Sequence, residues 1–126
     1  FDVIETVKAV LPPMTGMIAT MTLNKENMAK AALGGFTNAT DLADYLVRKG
    51  IPFRSTHEIS GKLVHYSIEN NKTLETLTLD EFKQFSELIE EDVYDAISLK
   101  TCVEKRIIPG APSSNTVKEY LDNYSL

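Results

Sequence analysis

The sequence predicts an all-α protein: the end of a long bundle-type helix followed by a small domain of several short helices. Three observations predict it. Nearly every periodic stretch places apolar residues three and four apart, the spacing of a single helix face. Helix start and stop signals recur at short intervals, at Asn24, Gly34-Gly35, Gly50 and Thr78 to Glu81. The one strand-like alternation, Leu74 to Leu79, is short and runs into a helix start.

The first helix spans Val3 to Met21. Val3, Val7, Val10, Met14, Met17 and Met21 step by four and three, and so do Ile4, Val7, Leu11, Met14, Ile18 and Met21. Two adjacent seams make one wide apolar stripe. Ala9, Thr15, Gly16, Ala19 and Thr20 behind it are small. Such a helix suits a bundle that surrounds it, and the rest of the chain is too small to do so. The pattern is already running at Phe1, with no initiator Met and no signal-peptide core, so the chain reads as a piece cut inside an element. Pro12-Pro13 removes two N–H donors and predicts a kink or short break, with the helix restarting at about Pro13.

Asn24 is a candidate cap for a short helix over Lys25 to Ala32, ended by Gly34-Gly35. That boundary divides the chain into residues 1–33, the end of the bundle helix, and 34–126, the small domain. Ala39, Leu42, Ala43, Leu46 and Val47 form the next core stripe, with Asp41, Asp44, Arg48 and Lys49 outside it and Asp44–Arg48 as an i,i+4 pair. Gly50 stops this helix and Pro52 opens the next, which runs to Asn70 with Phe53, His57, Ser60, Leu63, Val64 and Ile68 on its core face. Thr78 to Glu81 reads as a capping box, with Leu77 and Phe82 as a hydrophobic staple. Val93, Tyr94 and Ile97 mark a further turn or two. Ser98 caps a helix bearing Leu99, Cys102 and Val103, Pro109 to Pro112 is a loop, and Val117, Tyr120, Leu121 and Tyr124 stripe a last helix capped near Ser114 or Asn115.

Composition narrows the function. With 126 residues, 43% hydrophobic and 25% charged, the chain is long enough for one domain with a modest core. A net charge of −5 argues against nucleic acid or an anionic membrane surface as the main partner. A lone cysteine, Cys102, fits a reducing compartment and so the cytoplasm, and no apolar run approaches a membrane span.

No constellation carries chemistry. His57-Glu58 begins like a zinc-protease helix, but the second ligand position holds Gly61, and His65 lies eight residues from His57. His57 reads instead as a hydrogen-bonded core histidine, His65 as solvent-facing, and Cys102 as a buried, inert thiol. Gly34-Gly35 is a connector rather than an anion loop. The helices around Gly50-Ile51-Pro52 resemble a helix-turn-helix, but the front of the second offers Arg54, Ser55, Glu58 and Lys62 on an acidic chain. The carboxylates Asp80, Glu81, Glu87, Glu90, Glu91, Asp92 and Asp95 match no calcium loop and read as a solvated face.

One stretch carries a family resemblance. Ala39 to Arg54, followed by His57-Glu58 and by Gly61-Lys62-Leu63-Val64, resembles the C-terminal domain of argininosuccinate lyases, members of the fumarase/aspartase superfamily. Thr15 to Thr20 and Asn24 resemble the end of the last long helix of that family's central domain, and Pro109 to Ser113 its late glycine-rich segment. The chain departs from the pattern at Pro12-Pro13 and in keeping only Gly110 in the late loop.

The resemblance implies an enzyme that splits argininosuccinate into arginine and fumarate in arginine biosynthesis. A serine base would remove a proton beside a carboxylate, and a general acid would help the C–N bond break. It implies no cofactor, no metal, a cytoplasmic homotetramer whose central helices form one bundle, and argininosuccinate as small-molecule partner. The serine-bearing loop and the segment with the acid-side histidine are not in this sequence, so no catalytic residue is assigned. The fragment alone is expected to be inactive. Arg54, His57 and Gly61 are diagnostic of the domain, with His57 expected in the core and Gly61 expected to permit close helix approach. The competing readings are a stand-alone helical interaction module and a non-catalytic structural relative of the lens-crystallin kind.

Overall fold

The computed structural model describes residues 1–124. Among these it is all-α, without strands. The helices are α1 (Asp2–Ala19), α2 (Lys25–Gly34), α3 (Ala39–Arg48), α4 (Phe53–Glu69), α5 (Leu79–Lys83), α6 (Val93–Ile97), α7 (Leu99–Glu104) and α8 (Ser114–Asn123), with a 3-10 turn over Leu74–Thr76.

Neither α1 nor α2 buries a residue. The wide apolar stripe of α1 is exposed along its whole length, with Val10 the least exposed at 46% and Val3 at 76%. Of the expected kink or short break at Pro12-Pro13, a break is not found: α1 is continuous through both prolines. The fixed φ of proline is itself helical, so the ring is tolerated although the carbonyls of Lys8 and Ala9 lose their intrahelical donors. The cap of α2 is as the sequence indicates, with the Asn24 side chain accepting from the Asn27 N–H at 3.1 Å. The turn that follows differs: α2 continues to Gly34, and the residue with positive φ is Phe36, at 48°, rather than either glycine. Packing of the Phe36 ring against the core holds a conformation that a side chain ordinarily disfavours.

The core begins at α3 and is one cluster: Leu42, Tyr45 and Leu46 from α3, Leu63 from α4, Leu74 and Leu77 around the 3-10 turn, Phe82, Ile89, and Val93, Ala96 and Ile97 from α6. Helices α3 and α4 end in the same way. The N–H of Ile51 reaches Leu46 O at 3.1 Å with Gly50 at φ 96°, and the N–H of Lys72 reaches Ser67 O at 2.8 Å with Asn71 at φ 52°. Pro52 is the residue before α4 rather than its first. The capping box holds: Thr78 Oγ1 accepts from the Glu81 N–H at 3.3 Å and Glu81 Oε2 from the Thr78 N–H at 2.8 Å. Its staple residues Leu77 and Phe82 are both buried. The strand-like alternation from Leu74 is the 3-10 turn. The Ser98 hydroxyl caps α7, and α8 is capped by Ser113, one residue before the expected site.

Several positions lie elsewhere than their spacing predicts. Asp41, placed outside the α3 stripe, is buried and pairs with Arg106 at 3.3 Å. Asp44 and Arg48 form no ion pair among the described residues. The buried face of α4 is Thr56, Ser60, Leu63 and Ser67. Phe53 and Ile68 are exposed at 60% and 58%. Small hydroxyl residues face α3 because they let the two helices approach, as the Ser60 hydroxyl donating to Ala39 O at 2.7 Å shows.

Candidate functional site

Three polar clusters and three uncovered faces are the parts of this molecule that could carry function. The first cluster joins α3 to the segment before α6. The Tyr45 hydroxyl donates to Asp92 Oδ1 at 2.5 Å and accepts the Glu90 N–H at 3.1 Å. The Lys49 ammonium pairs with Glu90 and with Asp92 Oδ2, the latter at 3.1 Å. Burial and the Asp92 acceptor raise the Tyr45 pKa, and the Tyr45 hydroxyl and Lys49 hold the Asp92 carboxyl below its ordinary range. Glu90 and Asp92 likewise push the Lys49 ammonium up. Tyr45, Lys49 and Asp92 are thus held in their charged or donor forms, opposite to what a general acid or base at neutral pH requires.

The second cluster centres on Glu81. It accepts from the Lys72 ammonium at 2.6 Å, from the Tyr66 hydroxyl at 3.0 Å and from the backbone at Thr78, and these contacts, Lys72 first, bring its carboxyl down to about 2. The third ties Asp41 to Arg106 beside Cys102. Burial, with Asp41 as a neighbouring acceptor, pushes the Cys102 thiol up to about 11. It is a buried, inert thiol, as its place on the apolar side of α7 indicates.

His57 is not a core residue. It is exposed and sits edge to face with the Phe53 ring at 5.0 Å, because the buried sector of α4 falls on its hydroxyl residues. His65 is solvent-facing as expected, paired with Glu69 at 3.5 Å. Gly61 allows no close approach among the described residues: a Cβ there would meet nothing within 4 Å. Arg54 is exposed, and Lys62 is drawn to Glu58 at 2.7 Å rather than free to read a base. Among the described residues no group of three His, Cys, Asp or Glu side chains could hold a metal ion. The acidic run divides between solvent and the two clusters above.

Sequence reasoning missed Asn38. It is buried, and its amide donates to Glu75 Oε1 at 2.7 Å and to Ile97 O at 2.9 Å, joining the start of α3 to the 3-10 turn and the end of α6. An asparagine before a helix signals a cap, and nothing local marks it as a core clamp. The uncovered faces include the stripe of α1, the outer side of α4, and α8. The groove beside α8, lined by Ile107, Pro109, Tyr120 and Tyr124, holds about 190 Å³, less than the roughly 300 Å³ of a small-molecule pocket.

The geometry therefore describes a scaffold whose ionisable groups join its elements. Residues 36–104 match the family model described as argininosuccinate lyase C-terminal. The chain belongs to the argininosuccinate lyase C-terminal family. It is similar to the argininosuccinate lyase of Acetivibrio thermocellus, at 61% identity over 98% of this chain and 27% of that protein. It is also similar to that of Ruminiclostridium cellulolyticum, at 56% identity over the same shares. Among solved structures it is similar to an EDDS lyase variant with bound fumarate, with a TM-score of 0.79 and 31% identity over 87% of this chain and 24% of that one. The chain thus spans about a quarter of the length of the relatives it matches. The family match covers α3 to α7, which hold the core, the clusters around Tyr45 and Glu81, and the exposed Arg54, His57 and Gly61; Arg106 of the third cluster lies just beyond it.

Proposed function

We propose that this chain is the C-terminal part of an argininosuccinate lyase, and that the full-length protein cleaves argininosuccinate to arginine and fumarate in arginine biosynthesis. The 61% identity to a relative over 98% of the chain carries this reading. The similar EDDS lyase variant, solved with bound fumarate, supports a fumarate-binding site in the full-length protein. The catalytic groups lie in the rest of the polypeptide, no cofactor or metal takes part, and the active form is a cytoplasmic homotetramer. In that form residues 1–33 end a central helical bundle and residues 34–126 form a small terminal domain. The bare stripe of α1 is what a bundle helix presents once its neighbours are removed. No helix here is long and apolar enough to cross a membrane.

The test is fumarate release from argininosuccinate, followed by ultraviolet absorbance, on the full-length protein and on this chain in parallel. Release by the full-length protein alone is expected. No release by a folded tetramer would identify a non-catalytic relative, and release by the 126-residue chain would overturn the placement of the catalytic groups.

A further inference from the structure

Helix α4 presents more than the face it buries. At about 100° per residue, Phe53, His57, Gly61, Val64 and Ile68 fall within one sector of about 80°. That sector lies between the buried side, Thr56 to Ser67, and the charged side that carries Glu58, Lys62 and Glu69. It holds no acid and no lysine or arginine, and its two largest apolar residues, Phe53 and Ile68, are more than half exposed.

Gly61, within this sector, is a second observation. A glycine in mid-helix weakens the helix relative to alanine. A Cβ at this position would meet nothing within 4 Å, and the backbone has no positive φ that would exclude a side chain. No contact among the described residues uses the missing side chain. Elsewhere, a glycine on a helix face is what lets a second helix come close. The occupant has to come from outside these residues, and the chain spans only 27% of its relative's length.

We propose that the Phe53–His57–Gly61–Ile68 face of α4 seats a helix from the remainder of the same polypeptide, whose backbone passes α4 at Gly61. The proposal rests on this chain being part of a longer lyase polypeptide. His57 and Gly61 then belong to one docking face, and neither is a catalytic residue.

Hydroxyl-radical footprinting read by mass spectrometry, on the full-length protein and on the 126-residue chain, tests it. Phe53 and His57 are expected to be labelled several-fold less in the full-length protein, while His65, on the charged side of α4, is labelled equally in both. Equal labelling of Phe53 and His57 in the two would overturn the docking. Protection already present in a dimer of the 126-residue chain would assign the face to a second copy and overturn the stated occupant. Gly61→Ala supplies an independent readout. It is expected to raise the melting temperature of the 126-residue chain by a few degrees, from helix propensity alone, and to lower that of the full-length protein. A rise in both would overturn the close approach. Fumarate release by the unlabelled full-length protein is scored apart: an inactive protein with a covered face refutes the lyase reading and leaves the docking standing.

Discussion

At the scale of single residues, the buried amide of Asn38 does what no apolar side chain could. It supplies two donors, to Glu75 and to the Ile97 carbonyl, inside the core. Asn38→Ala removes the donor that satisfies a buried carbonyl, so we expect a loss of about 1–3 kcal/mol in urea unfolding, with an unchanged dependence on denaturant. Glu81 makes a pH prediction. Its folded pKa, about 2, lies below the roughly 4.3 of a free glutamate. A depressed carboxylate contributes stability that is fully present above the unfolded value and lost as pH falls through the folded one. The melting temperature should therefore fall between about pH 4.5 and pH 2. Glu81→Gln should flatten that fall, only in part, because Glu58 and Asp92 are lowered too. An equally steep fall in the variant would remove Glu81 from the account.

At the scale of elements, capping and turn chemistry account for most boundaries. Gly50, Asn71, Thr78 and Ser98 each act as their residue type dictates. Helix α1 is the exception, remaining helical through two prolines. An interior proline costs a helix about 3 kcal/mol, so Pro12→Ala should raise helix content measured by far-ultraviolet circular dichroism. No change would mean that the surrounding turns already absorb the lost hydrogen bond. The connection from α5 to α6 has little regular structure of its own and depends on Tyr45. Tyr45→Phe deprives Asp92 Oδ1 of one of the carboxylate's two donors and the Glu90 N–H of its acceptor, and about 1–2 kcal/mol should be lost. Hydrogen exchange should quicken at Glu90 before it quickens in α3. Uniform quickening would show that the hydroxyl supports the whole core rather than this segment.

At the scale of the whole molecule, the core belongs to residues from Asn38 onward, while α1 and α2 bury nothing. An apolar stripe of this length does not stay in water, so the 126-residue chain is expected to self-associate through Val3 to Met21. Light scattering over a wide concentration range checks this, and Val10→Glu should shift the equilibrium towards monomer. A strictly monomeric mass would mean that α1 finds cover within its own chain.

The all-α class, the order of the helices and most of their ends were legible in the sequence, because periodicity and caps are local: each depends on residues within about one turn of the boundary they set. The inert Cys102 and the solvent-facing His65 were legible for the same reason. What the tertiary structure alone decided is which of two plausible sides of a helix is covered. On α4 both the hydroxyl side and the Phe53–Ile68 side could have met a neighbour, and α3 took the one where Ser60 lets the backbones approach. That choice turned His57 outward and left Gly61 bare. It is the same kind of decision that buried Asp41 against Arg106, sixty-five residues away, and Asn38 against Ile97. Spacing along the chain specifies which residues share a face, but burial depends on what packs there, and that partner is set by contacts distant in sequence.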